Sequence, residues 1–264
     1  PVPKLTSLAS GRGRHLGMST PGHIPKGRGF QESLVYFEGA EDHNTQRSCQ
    51  DPECIIPIPA NASSPYDLWV DDGPATSLAG VEHSGFLFGR TAVGYVQALN
   101  LTKWPMFMHL APASSHTPLE PPPRFLELYP SEWYVDRRQY AGLCSLWDEI
   151  LGNVTAALRA RQMWESTLLA VSSDNGGPVY WSAEPLRYPH GAGANNWPLL
   201  GGKTSAWEGG VRVAAYQLKQ LFKLIFVPHL FWALGALIFL LFTVLITLSI
   251  PIMVRYIVDG YSFN

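Results

Sequence analysis

An acid and an amide stand side by side where a predicted strand ends. The sequence SSDNGG spans residues 172–177 and contains Asp174 and Asn175. Its first serine is the last residue of an apolar run at 167–172. Carboxylate and amide oxygens are the ligands that hard cations such as Ca²⁺ and Mg²⁺ prefer, whereas softer metals take His or Cys. The same residues are typical of an Asx-turn, in which they bond only the local backbone. On their own they favour the turn.

Two glycine-rich blocks lie downstream of this pair, and two histidine-containing blocks lie upstream. Residues 195–203 read NNWPLLGGK and residues 207–213 read WEGGVRV, while RHLG at 14–17 and LAPASSHTPL at 110–119 come earlier. In order and spacing these blocks resemble the type I sulfatases, whose patterns include G-K-W-H-L-G, A-P-H-T-P-L, S-D-N-G-G, N-x-P-L-x-G-G-K and W/Y-E-G-G-x-R. The resemblance covers most of residues 11–215.

The resemblance implies a role for each matching residue. Asp174 and Asn175 match a pair of calcium ligands, and Lys203 matches a lysine that contacts the oxygens of the sulfate ester. His116 matches a histidine near the leaving-group oxygen, and His15 matches one that helps to expel sulfate from a covalent intermediate. A cation and a lysine neutralise charge on the sulfuryl group, and histidines move protons near neutral pH. The resemblance therefore implies calcium-dependent hydrolysis of sulfate esters.

The family's nucleophile has no counterpart among these 264 residues. It is a formylglycine made from Cys or Ser in a C-x-P-x-R motif, and none of Cys49, Cys54 and Cys144 lies in such a motif. The family's first pair of calcium ligands is also missing, because the pair Asp71-Asp72 lies far along the chain and is interpreted as part of a turn. Gly13 replaces the lysine expected before His15. We therefore expect this chain to be inactive, or to depend on residues that it lacks.

The fold expected from the resemblance is α/β, a partial alkaline-phosphatase/sulfatase-like sandwich with a mixed central sheet, within a domain of residues 1–216. Apolar runs predict strands at 104–110 and 167–172, and apolar residues three or four apart predict a helix at 138–161, after an earlier helix at 90–100. In open α/β sheets ligands bind at the carboxyl ends of strands. Both predicted strands lead into candidate site residues.

The segment 217–264 has a different character. Residues 231–254 are 24 positions without a formal charge. At about 1.5 Å per residue, such a helix exceeds a bilayer core of roughly 30 Å. We predict a single C-terminal transmembrane helix that anchors the chain. The stretch 218–264 also weakly resembles the first transmembrane helix of an ABC exporter, so the alternatives are a non-catalytic membrane module, a subunit of a membrane complex or a fusion with a transporter segment.

Three Asn-x-Ser/Thr sequons, at Asn61, Asn100 and Asn153, favour a glycoprotein whose sulfatase-like part is lumenal or extracellular. In such a compartment Cys49 and Cys54 are expected to form a small disulfide loop, with Cys144 left unpaired.

The charge pattern bears on partners and orientation. Lys219 and Lys223 precede the predicted span and favour a cytoplasmic amino side, which conflicts with the sequons and leaves the orientation open. A net charge of −2 and the lack of a basic run argue against nucleic acid as a partner. The particular sulfate ester and the oligomeric state are not encoded in any pattern that we recognise.

Overall fold

The computed structural model describes residues 4–9, 19–37, 39–48, 65–101, 105–113, 115–179, 193–212 and 215–217. These residues fall into two compact units. The first holds the described residues up to 164 and those from 173 to 212, and the second holds 165–172 and 215–217. The predicted boundary at residue 216 stays a prediction.

The first unit is built on a mixed five-stranded sheet. Its strands are β1 (Lys4–Ala9), β2 (Glu32–Val35), β3 (Trp69–Val70), β4 (Gly73–Pro74) and β5 (Met106–Ala111), in the order β4-β3-β2-β1-β5. Strand β1 pairs in parallel with β2 and β5, whereas β3 is antiparallel to β2 and β4. The expected mixed sheet and the strand predicted at 104–110 are thus confirmed. The carboxyl ends of β1, β2 and β5 meet at one edge.

Two long helices pack together in this unit: α1 (Ser84–Ala98) and α3 (Val135–Ala160). Short helices α2 (Pro123–Leu126) and α4 (Glu208–Val211) complete the set, with 3₁₀ turns at Pro21–His23 and Lys26–Arg28. A third 3₁₀ turn, Trp164–Ser166, begins at the last residue of the first unit and continues into residues of the second. The prediction of α3 at 138–161 is confirmed to within three residues at its start.

Helix α1 begins six residues earlier than the predicted start at 90, and the cause lies in its first turn. His83 caps the helix, because its Nδ1 accepts a hydrogen bond of 3.1 Å from the Gly85 amide. Gly85 also lets α3 approach, since a Cβ there would lie 2.7 Å from Leu146 Cδ2. A histidine cap and helical glycines are weak helix signals in a sequence, which is why the first turn was missed.

The core of the first unit consists of two main apolar clusters. Leu119, on the segment that follows β5, belongs to one of them and is 5% exposed. Full burial of such a side chain stabilises the fold by about 1.5–3 kcal/mol. Because Leu119 lies three residues after His116, this cluster also holds the segment that carries the histidine. The buried members of the two clusters include Leu34, Tyr36, Leu87, Phe88, Val96, Val154 and Leu158 in the first and Phe125, Leu143, Leu146 and Ile150 in the second.

The second unit contains a two-stranded antiparallel sheet of β6 (Ala170–Ser172) and β7 (Ala215–Gln217). The sequence predicted a strand at 167–172, and the observed strand covers the last three of these residues. In the described residues its partner is β7. An apolar run indicates a strand but carries no information on which strand it pairs with.

No helix within the described ranges is both long enough and apolar enough to cross a bilayer. The predicted transmembrane helix at 231–254 lies outside those ranges, as do the Cys49–Cys54 loop and Asn61. These three remain predictions from the sequence.

Candidate active site

Lys203 and His116 meet in the first unit. The ammonium Nζ of Lys203 lies 3.1 Å from Nε2 of His116, and both residues are half-buried. Nδ1 of His116 lies 2.7 Å from the carbonyl oxygen of Thr117. A carbonyl can only accept, so the Nδ1 proton is donated to it and Nε2 is the acceptor for the lysine. The pair therefore presents a cation next to an imidazole in a defined tautomer, a combination suited to binding an oxyanion and moving a proton.

Backbone contacts between glycine-rich segments place Lys203. The amide of Lys203 donates to the carbonyl of Gly177 over 3.2 Å, and the amide of Gly176 donates to the carbonyl of Gly210 over 2.9 Å. A Cβ on Gly176 would overlap the carbonyl oxygen of Gly209, and one on Gly202 would lie 2.5 Å from that of Gly177. The glycines of the blocks at 176–177, 201–202 and 209–210 are thus needed for close backbone packing.

Asn196 fastens two of these segments together. Its Oδ1 accepts from the Gly177 amide at 2.9 Å, and its Nδ2 donates to the carbonyls of Gly177 and Gly201 at 2.7 and 3.0 Å. One side chain therefore uses both ends of its amide on backbone groups that position Lys203. The sequence placed Asn196 in the NNWPLLGGK block but gave no reason to assign it a function.

Asp174 and Asn175 precede this packed segment. Asn175 Nδ2 donates to the carbonyl of Gly176 over 2.8 Å, and the Ser173 hydroxyl donates to the Asn175 carbonyl over 2.6 Å. The Asn175 side chain thus bonds the local backbone through its amide nitrogen, whereas an Asx-turn would use its oxygen as the acceptor. Asp174 is exposed and Asn175 is half-buried, and a carboxylate and an amide oxygen are the donor types that they carry.

The donor type of this pair suits a hard cation, but the pair alone is not a complete metal site. Calcium takes six to eight oxygen ligands. In the described part of the chain no three His, Cys, Asp or Glu residues cluster in a way that could hold a metal ion. Asp174 and Asn175 can thus supply only part of a coordination shell.

A buried polar network supports the segment that carries His116. His83 Nε2 donates to the carbonyl of Glu120 at 2.9 Å, and the Glu120 carboxylate accepts from the His43 amide at 3.0 Å. His43 stacks on His83 with ring centroids 5.2 Å apart, and its Nδ1 lies 2.9 Å from the Ser84 hydroxyl. Neither His43 nor His83 lies in one of the motifs that the sequence singles out. Their place in the core, next to the candidate site, had no sequence signal.

Burial controls ionisation in this network. It lowers the pKa of His43 to about 3, with nearby His83 and His116 adding to the effect, and it also lowers the pKa of His83. Burial raises the pKa of Glu41 well above its ordinary value, and the neighbouring Asp67 raises it further. The two imidazoles are therefore neutral near pH 7, which avoids the cost of buried positive charge beneath His116.

The remaining predicted site residues have separate outcomes. His15 lies outside the described residues, although β1, the strand that precedes it, runs between β2 and β5. Asp71 lies in the turn between β3 and β4 with a φ of 55°, and its Oδ1 accepts from the Ser33 amide at 2.8 Å, so the turn interpretation is confirmed. Cys144 is a free thiol, as predicted.

The first unit is an α/β fold in which packed glycine-rich blocks place Lys203 next to His116. This arrangement can be compared with known protein families. Residues 13–215 match the family model described as Sulfatase, and the chain belongs to this family. The chain is also 31% identical over 209 residues to arylsulfatase J of Mus musculus, a match that takes in 79% of this chain and 31% of that protein.

Two solved structures share the fold of this chain. The chain is 27% identical to the crystal structure of Ps i-CgsB in complex with k-i-k-neocarrahexaose, with a TM-score of 0.63 over 80% of this chain and 43% of that one. The PsFucS1 sulfatase from Pseudoalteromonas sp. shares the fold at 19% identity, with a TM-score of 0.57 over 81% of this chain and 42% of that one. The chain thus spans about a third to two fifths of the length of these relatives.

Proposed function

We propose that this chain binds the sulfate group of a sulfate ester against the hydrogen-bonded pair of Lys203 and His116. The observation that carries the proposal is the 3.1 Å contact between Lys203 Nζ and His116 Nε2. A half-buried ammonium attracts a sulfate oxygen more strongly than an exposed one, because less water screens its charge. Membership of the Sulfatase family supports sulfate over other oxyanions as the ligand.

The two side chains have complementary parts in the proposed chemistry. Lys203 offsets the negative charge on the sulfuryl oxygens. Nε2 of His116 accepts the hydrogen bond of the ammonium, so Lys203 keeps its charge, and an imidazole that has taken a proton from solvent can donate it to the leaving-group oxygen. The Nδ1 bond to the Thr117 carbonyl keeps the ring in the orientation that this transfer needs. The nucleophile in this scheme is not supplied by the residues that we describe.

We assign Asp174 and Asn175 to a calcium ion in this proposal, as contributors of two oxygens to its coordination shell. The support is their donor chemistry and the resemblance of the SSDNGG block to the family's metal-binding pattern. When bound, such an ion would add positive charge beside the sulfate. Calcium titration followed by isothermal calorimetry, with the Asp174→Asn variant as the comparison, tests this assignment.

The organic part of the ester is proposed to be an aryl or carbohydrate group. One relative is named an arylsulfatase, and one solved relative is described in complex with a neocarrahexaose. No described residue distinguishes between the two groups, so a test must include both kinds of sulfate ester.

We further propose that the 264 residues on their own bind a sulfate ester without turning it over, because they contain no C-x-P-x-R motif to provide a formylglycine. The alternative is a module with no role in sulfate binding at all, anchored in a membrane through residues 231–254. The proposal that the sulfatase part is lumenal or extracellular is supported by the exposure of Asn100 and Asn153, which glycosylation requires. A mobility shift on treatment with peptide N-glycosidase F tests it.

The decisive experiment for the proposed function measures binding and turnover on the same sample. The full chain, purified in a mild detergent, is titrated with 4-nitrophenyl sulfate and with uncharged 4-nitrophenyl glucoside in a calorimeter, and release of 4-nitrophenol is followed by absorbance. We expect saturable binding of the sulfate ester only, competition by inorganic sulfate, and no release of 4-nitrophenol. Equal binding of the two compounds, or none of either, would overturn the proposal; turnover would overturn its non-catalytic part.

A further inference from the structure

Tyr140 occupies a position between the segment of His116 and the segment of Lys203. It lies in α3, near the start of that helix, and its half-buried ring packs on the cluster that includes Leu119 and Leu143. Its side chain makes a hydrogen bond with the side chain of Ser115, the residue directly before His116. Tyr140 therefore contacts the His116 segment both through the apolar cluster and through a polar bond.

The other side of Tyr140 faces the glycine-rich segments. The phenolic oxygen would lie 3.5 Å from a Cβ on Gly177, and the Cβ of Tyr140 would lie 2.8 Å from one on Gly193. Gly177 is the residue whose carbonyl accepts from the Lys203 amide and from Asn196. The tyrosine side chain thus touches the backbone unit to which Lys203 is attached.

Ser115 needs such support because its backbone is strained. Its φ of 67° lies in the left-handed region, which is unfavourable for a residue other than glycine. Strained residues persist only where their surroundings hold them, and here the Ser115 hydroxyl bonds both Tyr140 and Cys144, which are four residues apart on α3. Burial raises the pKa of Tyr140, so its phenol stays neutral at physiological pH.

We infer that Tyr140 is a positioning residue, which holds Ser115 and Gly177 in the arrangement that brings His116 Nε2 to Lys203 Nζ. The functional consequence of this inference rests on the proposed function, since the contact between Lys203 and His116 is the one assigned to sulfate binding. The test of the inference is independent of the proposed function, because the orientation of His116 can be observed without any ligand. The Phe variant keeps the ring in its apolar cluster and removes only the hydroxyl.

The test compares Tyr140, which lies in α3, with Tyr129, whose hydroxyl contacts a serine of the same helix. In Tyr140→Phe the hydroxyl near Ser115 is lost, and in Tyr129→Phe the control loses a hydroxyl that lies 2.6 Å from the Ser145 hydroxyl. The chain is labelled with ¹⁵N-histidine, and the His116 ring nitrogens are assigned through a His116→Gln variant. Circular dichroism and urea unfolding of each variant report whether the fold is kept.

We expect the ring ¹⁵N shifts of His116 to move in Tyr140→Phe and in Ser115→Ala, with no additional change in the double variant, and to stay in place in Tyr129→Phe. Affinity for inorganic sulfate should fall about 3- to 10-fold in Tyr140→Phe, the size expected for one lost hydrogen bond, and by less than about twofold in the control. Unmoved His116 shifts in a folded Tyr140→Phe would overturn the inference. Moved shifts without any sulfate binding would keep it and overturn the proposed function instead.

Discussion

Lys203 Nζ and His116 Nε2 form a 3.1 Å hydrogen bond between residues that are 87 positions apart in the sequence. His116 reaches this contact on the segment that follows β5, and Lys203 reaches it on a loop fixed by glycine-to-glycine backbone contacts. The two attachments come from different parts of the chain, and Tyr140 contacts both. The contact therefore depends on the packing of the unit as a whole, and changes at several distant positions should disturb it in distinguishable ways.

Removal of the Lys203 ammonium should weaken oxyanion binding without unfolding the chain. In Lys203→Met we expect affinity for inorganic sulfate, measured by calorimetry, to fall about 10- to 100-fold, as for the loss of a hydrogen bond to a charged group. Lys26→Met is the matched control, because its ammonium is a surface cation that bonds the Gln31 carbonyl and lies 3.7 Å from Asp71. Equal losses in the two variants would show that binding reflects overall charge only.

A methyl group on Gly176 should be incompatible with the packed loops. In Gly176→Ala the new Cβ would overlap the Gly209 carbonyl, so we expect the free energy of unfolding in urea to fall by about 1–3 kcal/mol or more. Gly152→Ala is the control, because no atom lies within 4 Å of a Cβ there and the position is inside α3. Alanine in a helix should stabilise this control by about 0.5–1 kcal/mol. A tolerated Gly176→Ala would contradict the described packing.

Two adjacent asparagines should differ in their contribution to stability. Asn196→Ala leaves three backbone hydrogen bonds of Gly177 and Gly201 unmade, and we expect the free energy of unfolding to fall by about 2–4 kcal/mol. Asn195→Ala removes one exposed bond to the Trp197 amide and should cost less than about 1 kcal/mol. Thermal or urea unfolding of both variants measures the difference. Similar losses at the two positions would remove Asn196 from its assigned role.

Glu41 should make stability depend on pH in a predictable direction. Burial raises its folded-state pKa above the unfolded value of 4.5, so the folded chain binds more protons above pH 4.5 and loses stability as the pH rises through that interval. Glu41→Gln removes this titration. The stability of the variant relative to the parent should be constant below pH 4.5 and should grow above it, by at most about 1.4 kcal/mol per pH unit.

Urea unfolding of Glu41→Gln and of the parent at several pH values between 4 and 8 measures this dependence. A difference between the two that does not change with pH would mean that the Glu41 carboxyl group is not buried in the folded chain.

Much of the site could be predicted from the sequence because its blocks have strong patterns. His116 and Lys203 were both assigned from short motifs, and the described residues place them in contact. The helix at 135–160 was also predictable, since its apolar spacing is regular over many turns.

Other features could not be predicted because they depend on long-range packing. Strand β6 pairs with β7, and the central pair, Val171 and Tyr216, is 45 positions apart in the sequence. An apolar run does not specify a partner at that distance. Tyr140, Ser115 and the buried His43 become relevant only when α3 and the loops are folded against each other. Helix α1 was placed too late because its glycines, which serve close packing with α3, lower the helix signal.

The most direct test of the sulfate-binding claim is a titration of the ¹⁵N-histidine-labelled chain with inorganic sulfate, observed at the ring nitrogens of His116. We expect a saturable change at His116 Nε2 in the parent chain, with at least a tenfold weaker response in Lys203→Met and an unchanged one in Lys26→Met. A spectrum in which His116 does not respond to sulfate, in a chain shown to be folded, would contradict the sulfate-binding claim.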